Sequence, residues 1–87
     1  MNSDTYNGWK NRQTWNVALW IGNDEPLYRA AVDFMRRYKG RRPYIDFIRS
    51  EGLQFDRTPD NIAFFSTRLC YSELNAMMNE FRPEYMA

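Results

Sequence analysis

The stretch "NGWKNRQTWNVALWIGND", residues 7–24, holds all three tryptophans, Trp9, Trp15 and Trp20, and the asparagines Asn7, Asn11, Asn16 and Asn23. From Thr14 to Ile21 it reads two ways. As a strand, Trp15, Val17, Leu19 and Ile21 share one face, with Asn16, Ala18 and Trp20 on the other. As a helix it is apolar nearly all round, with Trp15 beside Leu19 and Val17 beside Ile21. Periodicity does not separate the two in so short a run, but the flanks favour a helix. Asn11 offers an N-cap, and Gly22-Asn23 supplies the residue types that end helices in a left-handed conformation. The expectation is a buried helix over about residues 12–22 with Trp15 and Trp20 in the core. Trp9, outside the periodic run, is either a lid on that core or an exposed anchor.

Working outward, Asp24 can cap a second helix, with Glu25 and Pro26 in its first turn. Leu27, Ala31, Phe34 and Tyr38 recur at helical spacing, opposite Arg29, Asp33, Arg36 and Arg37, and Gly40 marks the expected end. Pro43 opens a third, short helix with Tyr44, Phe47 and Ile48 as its apolar stripe and Gly52 as its stop. Pro59 and Asp60 suit a type I turn. "IAFFSTRL" is either an extended connector or a lone strand. A last helix from about Ser72 buries Leu74, Met77, Met78 and Phe81 and stops before Pro83. The fold class expected is mostly α: a compact bundle of about four short helices, with an extended loop or short strand around residues 53–70. Residues 1–6 read as a disordered tail, 7–82 as a single globular domain and 83–87 as a C-terminal tail, in which Tyr85 and Met86 could pack on a second copy.

Eighty-seven residues leave room for one core, and a chain this short buries only roughly 60 to 65 % of its unfolded surface. Its 17 % aromatic content supplies what size does not. The lone cysteine, Cys70, reads as a small buried hydrophobe, and neither a disulfide nor a His-ligated metal is available. With no basic start followed by an apolar run, and no long apolar segment, the chain reads as cytoplasmic and clear of membranes.

Catalytic chemistry runs out quickly. There is no histidine, and the glycines at 8, 22, 40 and 52 stand too far apart for a phosphate loop, so an enzyme and a cofactor are both unexpected. The net charge of +1 hides an asymmetry: residues 1–28 carry −1, residues 29–49 carry +5 and residues 50–87 carry −3. The positive pole is "RRYKGRR", with Arg36, Arg37, Lys39, Arg41 and Arg42 around Tyr38 and Tyr44 just beyond. Such a cluster suits a solvated helix end, an acidic protein surface or a nucleic-acid backbone. The near-neutral total disfavours a dedicated nucleic-acid binder. Candidate partner-binding residues are therefore Arg36, Arg37, Lys39, Arg41, Arg42, Trp9 and Tyr44. Asn16, mid-segment among apolar residues, needs a partner: the backbone of the "TPDN" loop, or else a ligand.

At "GWKNRQTWNVALWIGND" the chain resembles an uncharacterised small domain family with a "TWNVALWxxND" core, found in phages, cyanobacteria, archaea and mobile elements. Trp15, Asn16, Trp20, Asn23 and Asp24 carry that motif. The resemblance continues through Tyr28, Ala31, Val32 and Phe34, then Tyr44, Phe47, Ile48, Gly52 and Leu53. It runs on to Thr58-Pro59-Asp60 and to Glu73, Leu74, Asn75 and Met77. It brings no catalytic or ligand residues with it. The chain departs from the family pattern in "NIAFFSTRLC" and in "RRYKGRR". What the resemblance implies is a phage or mobile-element setting, where small proteins commonly bind and block a host enzyme or defence complex. The expectation is a non-catalytic inhibitor docking on an acidic surface of a host defence or nucleic-acid-processing complex. The alternative is a nucleic-acid or nucleotide binder using residues 36–42. A homo-oligomer through the C-terminal tail is a further expectation.

Overall fold

The Asn11 side chain starts the first helix, accepting hydrogen bonds from the Thr14 backbone N–H (2.8 Å) and the Thr14 hydroxyl (2.6 Å). Helix α1 spans Arg12–Asn23 in a computed structural model that describes residues 5–83. Its end differs from expectation. Gly22 and Asn23 stay helical, and the left-handed residues among those described are Asn7, Gly8, Gly52 and Asn61. Asp24 leaves no room for a left-handed stop. Its N–H closes α1 on the Trp20 carbonyl (3.0 Å), while its carboxylate accepts from Leu27 N–H (3.1 Å) and opens α2, Glu25–Arg37. One extended residue thus ends one helix and begins the next.

Helix α2 stops three residues short of Gly40. Tyr38 is already extended, its ring stacked on Phe34 with centroids 4.9 Å apart and its hydroxyl donating to Asp46. Gly40 is needed for close approach: a Cβ there would overlap the Tyr38 ring. Helix α3, Pro43–Ser50, has no capping side chain of its own. Asn75, from a later helix, accepts the Tyr44 N–H instead (3.0 Å). At its far end Gly52 is left-handed (φ 72°), with Leu53 N–H on the Ile48 carbonyl and Gly52 N–H on that of Arg49. That pair of bonds is a Schellman ending.

The extended region expected over 53–70 contains a tight hairpin. Thr58 N–H donates to the Ile62 carbonyl (2.8 Å) and Asn61 N–H to that of Thr58 (2.7 Å), with a bridge between Arg57 and Ala63. Pro59 and Asp60 take the turn and left-handed Asn61 (φ 69°) completes it. Helix α4, Tyr71–Glu80, follows, so the four helices match the expected bundle.

The core draws on every part: Val17, Ala18 and Ile21 from α1, Ala31 and Met35 from α2, Tyr44, Phe47 and Ile48 from α3, Phe64 and Leu69 from the connector, and Leu74, Met77 and Met78 from α4. The tryptophans fall differently from expectation. Trp15 and Trp20 are half-buried, while Trp9 packs against the core as a lid. The reason is the inner face of α1, where polar Thr14 and Asn16 take buried positions and turn the indoles outward. Cys70 and Phe81 are also half-buried rather than fully enclosed. Tyr6, assigned above to a tail, exchanges two backbone hydrogen bonds with Trp9 and sets its ring edge-on to Trp15 at 5.0 Å. Of the two tails, residues 1–4 and 84–87, with Tyr85 and Met86, lie outside the described residues.

Tyr44 is completely buried and its hydroxyl donates to the Phe64 carbonyl, linking α3 to the connector. Tyr44→Phe strands that carbonyl in the interior. The substitution should lower the unfolding free energy by about 1 to 3 kcal/mol, read as a lower urea midpoint at unchanged slope.

Candidate functional site

The five cations of the 36–42 cluster occupy the corner where α2 hands over to α3, and all five are exposed. Arg36 meets Asp33 one turn back (3.3 Å), a pair open to solvent and of little energetic weight. Among the described residues, Arg37, Lys39, Arg41 and Arg42 have no ion-pair partner. The backbone beneath them is braced at several points. The Tyr38 hydroxyl, which donates to Asp46, also accepts the Arg42 N–H (3.0 Å). Pro43 is buried. Arg82, just past α4, donates to the Met35 and Tyr38 carbonyls at 2.9 Å each and so closes the end of α2. Desolvation, together with the hydrogen bond to Asp46, raises the Tyr38 pKa above its ordinary value, so the hydroxyl keeps its proton at neutral pH. The result is a basic knuckle whose charges are exposed and whose backbone is braced.

Two residues proposed for contact stand elsewhere. Tyr44 is sealed in the core and unable to meet a partner. Trp9 is half-buried and lines a separate cleft of about 310 Å³ with Glu73, Met77 and Glu80.

The tryptophan motif has a structural role that its chemistry explains. Buried Asn16 accepts from the Thr58 hydroxyl (2.7 Å) and donates to the Asp60 carboxylate (2.8 Å). Trp20 Nε1 donates to the same Asp60 oxygen (2.9 Å). Thr58 in turn accepts the Ile62 N–H (3.2 Å). Asn16 thus clamps the hairpin onto α1 through side chains, where a bond to the loop backbone was anticipated. Asp60 is exposed, yet the donors Asn16 and Trp20 hold its carboxyl below the usual carboxylate range. A second set ties the start of α1 to the approach of α4. Asn11 Nδ2 donates to the Arg68 carbonyl (2.7 Å), and Cys70 N–H donates to the Thr14 hydroxyl (2.9 Å). Asn23 bonds the Leu19 carbonyl within its own helix (2.9 Å) and Asp24 caps α2.

A family model for a family of unknown function, DUF7249, matches residues 2–85. The chain belongs to that family. No curated protein and no solved structure matches it. In this DUF7249 member, no group of three metal-ligating side chains occurs among the described residues, and no helix there is long and apolar enough to cross a membrane.

Features not anticipated from the residues lie on either side of the hairpin. Phe55 is 90 % exposed and Phe65 50 % exposed, whereas Phe64 enters the core. The adjacent "FF" and the neighbouring Arg57 and Arg68 were the available signals.

The depressed Asp60 pKa makes a signed prediction. A carboxyl favoured as its anion in the fold contributes stability above its unfolded value, near 3.8, and that contribution is lost as pH falls through the lower folded value. Asp60→Asn should therefore lose less stability than the wild type between about pH 5 and pH 2.5, measured by urea unfolding across that range. Equal acid losses in the two proteins would refute the clamp.

Proposed function

We propose that this protein is a non-catalytic docking protein of a phage or mobile element, which binds an acidic surface of a host protein complex and blocks it. The α2–α3 corner is the contact. The observation that carries this reading is the braced knuckle itself: exposed Arg36, Arg37, Lys39, Arg41 and Arg42, four of them without an ion-pair partner among the described residues, on a backbone pinned by Tyr38, Asp46 and Arg82. Fixing the backbone before binding reduces the ordering cost of association. Arginine forks then pair with partner carboxylates two bonds at a time, which fixes orientation as well as attraction. Cations left free in the unbound protein also raise the rate of encounter with an acidic target. A defence complex or nucleic-acid-processing machine, in the host cytoplasm, is the target class that fits a small stoichiometric inhibitor.

Reversing the four arginines together, Arg36, Arg37, Arg41 and Arg42 to Glu, should abolish capture of the partner from host lysate in a nuclease-treated pull-down. The circular dichroism spectrum should be unchanged, because none of these side chains enters the core. Loss of helical signal in the variant would assign the cluster a structural role. Capture that disappears once nuclease is added would replace the protein target with nucleic acid.

A further inference from the structure

A second basic surface lies away from the α2–α3 corner, between the start of α1 and the hairpin. Two clefts, of about 280 and 400 Å³, share Gln13 and Arg68 in their walls, so they adjoin and are treated as one groove. Arg57 and Ser66 line the first, Lys10 and Thr67 the second. No carboxylate among the described residues lines either one. Lys10, Arg57 and Arg68 are exposed and lack ion-pair partners among the described residues. Arg57 uses one guanidinium nitrogen on the Asn61 carbonyl (3.1 Å). The groove therefore offers three cationic groups in a row with neutral amide and hydroxyl donors between them.

Two exposed rings stand close in sequence to residues that line it. Phe64 enters the core at 5 % exposed, whereas its neighbour Phe65, directly before the groove residue Ser66, is 50 % exposed, one side of its ring turned to Tyr71 at 6.5 Å between centroids. Phe55 stands almost fully in solvent in the turn just before Arg57. An exposed phenylalanine has no hydrogen-bonding end to justify contact with water. Two of them, next in the chain to residues around a carboxylate-free cationic groove, match a ligand that is anionic along its length and flat at intervals.

We infer that this groove binds single-stranded nucleic acid, with phosphates on Lys10, Arg57 and Arg68 and unpaired bases against Phe65 and Phe55. Stacking on a phenyl face needs an unpaired base, which is why the single strand is favoured over a duplex. The three cations act as a short electrostatic track, and the rings give sequence-tolerant contacts. The surface is separate from residues 36–42, so its occupancy is independent of docking at the knuckle.

The test is fluorescence anisotropy of a labelled oligothymidylate of about twelve nucleotides, titrated with the full chain at ~50 and ~200 mM salt. Binding should weaken with salt with a log–log slope of about −2, as three phosphate contacts on a single strand require. Lys10→Glu with Arg68→Glu should reduce affinity at least tenfold, and Phe65→Ala several-fold. Neither the Lys10 nor the Arg68 side chain makes a hydrogen bond among the described residues, so the charge reversals leave the fold intact, as circular dichroism would verify. The inference is overturned by absence of binding at ~50 mM salt. It is equally overturned by binding that ignores the groove variants yet disappears on reversal of Arg36, Arg37, Arg41 and Arg42. Displacement by polyglutamate as readily as by unlabelled oligonucleotide would also overturn it, since a generic cation effect would then explain the signal.

Discussion

The buried amide of Asn16 is the constraint on which the arrangement depends. An Asn inside an otherwise apolar helix face is costly unless both ends of its amide are bonded. Here the oxygen meets Thr58 and the nitrogen meets Asp60, so the hairpin that supplies those partners has one seat on α1. Hydrophobic contact alone tolerates sliding. A two-ended polar clamp does not, and it sets the register between the first helix and residues 58–62. The Arg57–Ala63 bridge, the inward turn of Phe64 and the exposure of Phe65 follow from that seat.

The same device recurs at smaller scale. Asn11, Thr14 and Asn75 each spend a side chain on an element remote in sequence, binding the Arg68 carbonyl, the Cys70 N–H and the Tyr44 N–H. A four-helix chain of 87 residues has too little apolar interior to define every interface by packing. Polar ties between elements supply the missing specificity, and Asn75 simultaneously relieves an uncapped helix start. The tryptophan segment is therefore intelligible as architecture: its Asn16, Trp20 and Asp24 fasten elements together.

Much of this was legible in the residues. Local signals worked where the physics is local: Asn11 as a cap, Asp24 with Pro26 as a helix start, Gly52 as a left-handed stop and Pro59-Asp60 as a turn. Signals failed where a distant residue decides. Gly22-Asn23 had the composition of a helix end, but Asp24 was already committed to the next helix. Gly40 looked like the end of α2, but Asp46 drew the Tyr38 hydroxyl and the helix gave way earlier. Trp15 and Trp20 looked like core because helical spacing cannot see Thr58 and Asp60 claiming the inner face for Asn16. Of the candidate contacts, exposure of the arginines was readable from charge, while the sealing of Tyr44 was not, since its hydroxyl is satisfied by a carbonyl twenty residues away.

The single-residue link at Asp24 bears on the order in which the molecule assembles. Helices α1 and α2 meet through near neighbours in the chain, and closing so short a connection costs little entropy. The Asn16 bonds close loops of 42 and 44 residues, a far larger search. A helical pair can thus form early around Val17, Ile21, Ala31 and Met35, with the hairpin docking onto it afterwards. The segment carrying the exposed phenylalanines then joins late and is the first to leave on partial unfolding. Slow amide exchange would be concentrated in the paired helices, and the hairpin would exchange through cheaper local openings.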